Sequence, residues 1–592
     1  MLSKALWLPR LASCLTSALA LALAGCGGSG NSVPPGPLTL SLASSSAAAF
    51  PNEPAATVTF SISGGTATSP ITPTISGLPA GVTSTIAASS GTTPGSIALD
   101  AGSATPGTFA VTVSATDGTT TVTQPLTLTV GVTSVVSATT NGSFTEAMST
   151  SFQIASYNDY LFPDYPNLPI LLDTLAPDHI RMQVYGDIPE TAQGTWDFTS
   201  LDTSVQPILT ASDHSPEFQI ATAPAFAFQG LTTNFVNSTF LTDFSDYAAH
   251  LVQYYNTGGF TANGTHYQSA SSNPIKYWGI YNEPDYNNVS PTDYVALYNA
   301  TVPAMLAADP TIKIIALELG GGYASVDQAY IPPFVQGVTA HVDVMATHYY
   351  SSCNQRDTDA TVMATVPGFA SDAQYIYQQM ATNPALANVP VWVLENNVNA
   401  DYGENGFSAC NPGQTFVPYA RGSSAFFAAW RPYVFSQLGQ AGVQALYHWS
   451  FAGDVEFGEV NVTNPTDQLQ LSYWVDDWLG QLFPPSVSTS VLSATNSDNG
   501  NVEVLAVKQS TGEVVVLVSD HAVANTTDNN GAGLPRTVLV DLSALGSFTT
   551  VKQVTLDATT NVTNGPTPQT VAYAPKMQVT LGGYGVTFLT LQ

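Results

Sequence analysis

Positive charge is what this chain has least of. It carries 12 Lys and Arg against 42 Asp and Glu over 592 residues, a formal net charge of −30, and only 9% of its residues are charged. A nucleic-acid binder needs basic patches to neutralise phosphates, so this balance excludes that class. Scarce charge does not mean disorder here, because 44% of the residues are apolar and 10% aromatic. The acidic surplus fits solubility outside the cell better than substrate steering. Cysteine is almost as scarce, with 4 in all. No Cys/His cluster has zinc-ligand spacing, and neither a phosphate-binding glycine loop nor a Ser/His/Asp order stands out. No metal and no cofactor are expected. Beyond the N-terminus no apolar run is long enough to span a bilayer.

The N-terminus does carry a short apolar run. Lys4 and Arg10 precede it, and it ends at Leu23-Ala24-Gly25-Cys26. A basic start followed by such a run reads as a secretory signal. The last four residues resemble a bacterial lipobox. That resemblance implies that residues 1–25 are removed and that Cys26 becomes a lipidated first residue. The chain would then be exported and anchored to the bacterial cell envelope, at the outer membrane or cell surface, touching membrane through lipid alone. An ordinary cleaved signal peptide is the alternative. With Cys14 in the signal and Cys26 lipidated, Cys353 and Cys410 remain as a pair in an oxidising compartment.

Residues 26–37 are rich in Gly, Ser and Pro and read as a flexible tether. Residues 38–132 read as β throughout. Alternating runs such as Ala56-Thr-Val-Thr-Phe-Ser-Ile62 and Thr108-Phe-Ala-Val-Thr-Val-Ser114 lie between Gly/Pro turns, as in a β-sandwich. The piece Leu78-Pro-Ala-Gly-Val82 and the segment 106–117 resemble bacterial immunoglobulin-like repeats, which implies an Ig-like spacer; a glycan-binding module is the alternative. Over 133–484 strands and helices alternate, the pattern of a parallel α/β domain. Strands are expected at 152–156, 180–184, 218–222, 277–281, 312–317, 342–347, 391–394 and 445–449, and helices at 240–255, 291–308, 371–380 and 423–440. Residues 485–592 return to β, with runs at 502–507, 513–519, 537–541, 551–555 and 584–591, and read as a second sandwich.

One stretch organises the middle region: Lys276-Tyr-Trp-Gly-Ile-Tyr-Asn-Glu-Pro-Asp285. Its aromatic run suits a buried strand, and Pro284 stops it. Glu283 therefore sits where a buried strand meets its loop, partly desolvated on a rigid support, which is how a general acid is made. The plain alternative is a loop acid beside a turn proline. A second apolar run, Val391-Trp-Val-Leu-Glu395-Asn-Asn, also ends in a glutamate. Two carboxylates at the ends of two buried strands are the minimum equipment for glycoside hydrolysis.

With these two motifs in this order, residues 145–592 resemble the clan A glycoside hydrolases, most of all family 39 and its relatives. The resemblance implies a (β/α)8 TIM barrel, the C-terminal β-sandwich after it, and residues 133–145 joining that sandwich. It makes Glu283, after Asn282 at the end of strand four, the acid/base, and Glu395, ending strand seven, the nucleophile. Asn282 would contact the sugar 2-hydroxyl. Arg181 stands at a comparable strand-two position near the nucleophile, the alternative being a structural ion pair. Family 39 often has a histidine two residues after that arginine; here Gln183 stands there. His348 and Tyr350, ending strand six, would line the site; otherwise they are a histidine satisfied by backbone groups and a tyrosine packed under a loop. Trp449 would be a sugar-stacking platform, or else barrel core. Glu318, ending strand five, could replace either carboxylate, but clan order argues against it. Asp285, Asp454, Glu456 and Glu459 are expected around the cleft, and Arg356 and Arg421 are the loop cations a uronic acid would need. Strands six and seven are neighbours in such a barrel, so the loops bearing Cys353 and Cys410 rise side by side and a disulfide between them is expected.

The reading is a monomeric, retaining glycoside hydrolase that cleaves O-glycosidic bonds of a polysaccharide or oligosaccharide by a two-glutamate double displacement, with carbohydrate as its partner. The alternative is a non-catalytic glycan-binding or adhesive surface lipoprotein.

Overall fold

A computed structural model describes residues 36–592 except 68, 90–92, 155–164, 166, 212–214, 322–323 and 463–467. The expected signal peptide and the lipid-bearing Cys26 lie outside the described residues.

The chain begins with two four-stranded sheets that close on one core, which includes Leu40, Phe60, Ile97, Val113 and Leu128. The strand Ala56–Ser63 illustrates how: Val58 and Phe60 point inward while Thr57, Thr59 and Ser61 face solvent. Period-two alternation of this kind is what a half-buried strand requires.

Eight parallel strands then close into a barrel. They are β1 (Ala147–Ile154), β2 (His179–Val184), β3 (Ser215–Ile220), β4 (Tyr277–Ile280), β5 (Lys313–Leu319), β6 (Val344–Tyr350), β7 (Val391–Asn397) and β8 (Ala445–His448). β1 pairs with both β2 and β8, which completes the ring. All eight lie where the apolar runs placed them, with two informative differences. β1 starts at Ala147, because its small polar residues Ser149, Thr150 and Ser151 are buried within the fold instead of forming a loop. β7 continues through Glu395, Asn396 and Asn397, so the nucleophile candidate lies within the strand instead of after it.

Helices cover the barrel. Pro291–Ala308 has the bounds expected, with the Ser290 hydroxyl accepting from Asp293 N and Pro291 opening the first turn. Val366–Met380 starts earlier than expected, because its proline falls in the first turn, where no intrahelical N–H is needed.

Side chains on the strands alternate between the helices and the barrel interior. Ile180, Met182 and Val184 of β2 and Phe218 and Ile220 of β3 pack outward in the main core. Arg181, Gln183, Glu217 and Gln219 occupy the intervening, inward positions and are all buried. Low in the barrel an apolar plug of Ile315, Val344, Ala346, Trp392, Leu394 and Tyr447 fills the interior. The upper interior is polar, and the site is built there.

The C-terminal sandwich is one continuous sheet of nine strands. Val132–Phe144, just before the barrel, lies within it, antiparallel to Thr489–Asn496 and parallel to Arg536–Asp541. In the strand Val514–Asp520, Val515 and Leu517 join the barrel's outer core while Val514, Val516 and Val518 fill the sheet's own core. Burial on both faces explains the unbroken apolar run. The barrel and this sheet therefore share a core.

Cys353 and Cys410 are disulfide-bonded, with Cα atoms 5.6 Å apart, and tie the loop after β6 to the loop after β7. For a closed loop of 57 residues, chain entropy puts the stabilisation at about 4 kcal/mol. Replacing both cysteines by serine is expected to lower the thermal midpoint of the barrel by several degrees in calorimetry; an unchanged midpoint contradicts this.

Candidate active site

Four glutamates, one arginine and one histidine come together from β2, β3, the turn after β4, β5, β6 and β7. Arg181 is the centre. Its Nη1 donates to Glu395 Oε1 at 2.8 Å, its Nη2 to Asn282 Oδ1 at 2.8 Å and to Glu318 Oε2 at 2.8 Å, and its Nε to Glu318 Oε2 at 3.2 Å. Glu217 Oε1 lies 3.5 Å from the same Nε. Arg181 is fully buried.

Glu395 is turned inward by an irregularity of β7. Its register against β6 shifts between Thr347 and His348, and against β8 between Val393 and Asn396. Bulges of this kind re-aim a side chain beside a site. Besides Arg181, Glu395 Oε1 accepts from Gln183 Nε2 at 2.6 Å, and Oε2 accepts from the Tyr350 hydroxyl at 2.8 Å. Gln183, in the position where a histidine was the family pattern, thus supplies a hydrogen bond to the carboxylate. Burial pushes the Glu395 carboxyl up, but the charges of His348 and Arg181 and the Tyr350 hydroxyl outweigh it and hold it below the ordinary carboxylate value.

Glu283 stands three residues past β4 in left-handed backbone, φ 44°, after Tyr281 at φ 64°. Non-glycine residues adopt this region at a cost of about 1–3 kcal/mol each, and such strain gathers at functional sites. The turn is held by Asn282 N donating to Ala221 O at 3.2 Å and Glu283 N donating to Glu318 O at 3.1 Å. Gly320 makes room for it: a Cβ there would lie 2.5 Å from Glu283 Oε1. Asp285 Oδ1 accepts from Gly320 N at 3.0 Å and pins the two loops together. The Glu283 side chain keeps 23% of its surface open. Burial raises its carboxyl above the ordinary value, and the Glu395 charge adds to this, against the hydrogen bond from His348.

His348 bridges the pair, with Nδ1 3.0 Å from Glu283 Oε1 and 3.6 Å from Glu395 Oε2. Burial disfavours its charged form, yet the two carboxylates outweigh burial and raise its pKa. One oxygen of Glu283, a ring nitrogen of His348 and one oxygen of Glu395 all lie within 4.8 Å of one another. Asn282 is almost wholly buried, and besides accepting from Arg181 its Nδ2 donates to the Tyr185 hydroxyl at 2.6 Å. Its amide retains one further N–H.

Two donor sets among the described residues have metal-like crowding: Glu283, His348 and Glu395, and behind the barrel His448, Glu459 and Asp476. In each a buried arginine already pairs with one of the carboxylates, Arg181 with Glu395 and Arg431 with Asp476.

The structure brings Arg181, Asn282, Glu283, His348, Tyr350 and Glu395 into one cluster of hydrogen bonds and ion pairs. Trp449 lies one residue past β8 and half-buried; its backbone N–H donates to Asn396 O at 3.2 Å and its carbonyl accepts from Asn397 Nδ2 at 2.6 Å, which fixes it beside β7. Two expectations are corrected. Glu456 and Glu459 are not rim acids. Glu456 is buried and accepts from Gln355, Asn399 and Tyr419 N, while Glu459 is buried and accepts from Thr150. Arg421 is not a free pocket cation either: it is buried and its Nη2 donates to the carbonyls of Gln355 and Asp357. Sequence reasoning missed Tyr185 and Glu217. Glu217 had a signal, since Glu217 and Gln219 alternate with apolar Phe218 and Ile220 on β3.

This architecture matches solved glycosidase structures. A GH39 β-xylosidase from Caulobacter crescentus superposes with a TM-score of 0.52 at 15% identity, over 78% of this chain and 99% of that one. A GH51 arabinofuranosidase from Xanthomonas axonopodis pv. citri gives 0.58 at 13% identity, over 78% and 100%. A thermostable GH51 α-L-arabinofuranosidase from Thermotoga petrophila gives 0.56 at 12% identity, again over 78% and 100%. No family model and no curated protein matches the chain. At such identities the likeness defines the fold alone: an eight-stranded parallel barrel joined to a C-terminal sheet.

Proposed function

We propose that the protein is a retaining glycoside hydrolase with Glu395 as nucleophile and Glu283 as acid/base. The observation that carries this reading is the pair itself: two carboxylates with oxygens within 4.8 Å, one held ionised and the other pushed toward its protonated form. Environments that split a carboxylate pair in this way assign the acid and the base. Oxygens this close favour the retaining arrangement, whose carboxyl groups stand about 5–5.5 Å apart, over the inverting one at roughly 6.5–9.5 Å.

In this mechanism Glu395 Oε1 is anchored by Arg181 and Gln183. That leaves Oε2, on the side of His348 and Glu283, to attack the anomeric carbon. Glu283 gives its proton to the departing glycosidic oxygen. A glycosyl ester on Glu395 results; Glu283, now a carboxylate, then takes a proton from water, which attacks the same carbon and releases the sugar with its configuration kept. Tyr350 and Arg181 follow the charge on Glu395 as it forms and breaks the ester, Asn282 offers its remaining N–H to the 2-hydroxyl, and Trp449 offers a ring face to the sugar.

The substrate class we infer is a neutral glycoside. Of the two loop cations, Arg421 is committed to loop carbonyls, which leaves Arg356 alone for a uronate, and the structural neighbours include a β-xylosidase and arabinofuranosidases. The test is stereochemical. NMR of the first product formed from a chromogenic pentoside or hexoside screen hit is expected to show the anomer of the substrate. First release of the opposite anomer excludes the double displacement.

A further inference from the structure

Glu318 occupies a place the chain reaches only by unusual means. β5 loses its register with β6 between Leu317 and Leu319. Leu317 and Glu318 both take left-handed backbone, φ 78° and 49°, a region that non-glycine residues avoid and that marks functional positions. The Leu317 N–H donates to the Tyr294 hydroxyl at 2.6 Å, which holds the distortion from the helix Pro291–Ala308. Opposite, on β4, position 279 is glycine, and any Cβ there would overlap the Glu318 carboxylate. Three separate elements thus make room for one buried carboxyl group.

That group does not face the open side of the site. Glu318 is fully buried, and its Oε2 accepts from both Nε and Nη2 of Arg181. Gripping this edge of the guanidinium fixes the plane of the fork. Nη1 is then aimed at Glu395, and the second hydrogen of Nη2 at Asn282. A guanidinium held only by Glu395 could pair with it in several orientations, and Asn282 would lose its anchor.

We propose that Glu318 is a positioning residue that clamps Arg181 so that one guanidinium orients Glu395 and Asn282 together. The proposal rests on the reading of Glu395 as nucleophile, and it gives the third carboxylate a part in that site other than attack or proton transfer. The groups facing Glu318 are Arg181 from β2, Glu217 from β3, His348 from β6, Glu395 from β7 and Tyr294 from the helix beside β5. Burial lifts Glu318 above the ordinary carboxylate value against the pull of Arg181, and lifts Glu217 much further, with Glu318 adding to it.

The test compares Glu318→Ala and Glu318→Gln with the wild type on one aryl glycoside. A reacting group misplaced by about 1 Å can lose about 100-fold, so Glu318→Ala is expected to lose about that much in kcat with KM little changed. Glu318→Gln, whose amide oxygen can still accept from Arg181, recovers most of this loss. A crystal structure of Glu318→Ala is expected to show Arg181 withdrawn from Asn282. Wild-type kcat in Glu318→Ala overturns the proposal, and so does a loss of activity that tracks only the folded fraction. If azide restores turnover to Glu318→Ala and not to Glu283→Ala, Glu318 is the acid/base and both readings fall. If the wild type cleaves no glycoside, the functional reading fails alone, and the position of Arg181 in the Glu318→Ala structure still decides whether the clamp exists.

Discussion

Glu395→Gln abolishes turnover of every glycoside the wild-type protein cleaves. The expected loss in kcat is about 10⁴-fold or more, the scale seen when a covalent nucleophile is removed and binding contacts remain. The amide keeps the shape of the side chain and can still accept from Arg181, so the fold and KM should change little. What it cannot do is attack the anomeric carbon. The loss must therefore be independent of leaving group, because no leaving group, protonated or not, is displaced without the nucleophile. A 2-deoxy-2-fluoro glycoside, which slows breakdown of the glycosyl ester, should label the wild type on the peptide containing Glu395 and leave the variant unlabelled in mass spectrometry. Retention of most activity by Glu395→Gln, or label on Glu318, would show that the nucleophile has been placed on the wrong strand.

The barrel was legible because each strand carries an outward apolar row that must meet a helix. Ile180, Met182 and Val184 on β2 are an example. The start of β1 was not legible, since Ser149, Thr150 and Ser151 read as loop until the closed barrel buries them. The candidate pair could be picked out for local reasons: each glutamate closes an apolar run, and Pro284 stops the first. The grouping around Arg181 was not. Glu217, Glu318 and Glu395 come from β3, β5 and β7, and each looks like an isolated acid until the ring closes around one guanidinium. The left-handed backbone at Glu318 has no signature in its own residue type. Its only trace in the sequence is Gly279, a strand glycine whose purpose appears once the Glu318 carboxylate is seen against it. Glu456 and Glu459 misled for the same reason, because their donors Asn399, Gln355 and Thr150 arrive from segments distant in the chain.

Glu283→Gln is expected to divide substrates by their leaving groups. Sugar leaving groups need a proton as the glycosidic bond breaks; nitrophenolates do not. For an oligosaccharide the variant should lose about 10²–10⁴-fold in kcat/KM, the usual range for a general acid. For a nitrophenyl glycoside the first step should be nearly intact, and turnover should stall at the glycosyl ester on Glu395, because no base remains to activate water. Azide, a nucleophile that needs no base, should then restore turnover and yield a glycosyl azide of retained configuration. The pH profile gives an independent check. Burial raises the Glu283 carboxyl, with the Glu395 charge adding to it, and the group works while protonated. Wild-type activity on oligosaccharides should therefore fall as pH rises through that raised pKa, giving an alkaline limb. The glutamine side chain does not titrate, so in Glu283→Gln the limb should be absent from the residual activity. His348, 3.0 Å away, is the other group that could produce it. An alkaline limb that survives in Glu283→Gln but disappears in His348→Asn would move the acid function off Glu283.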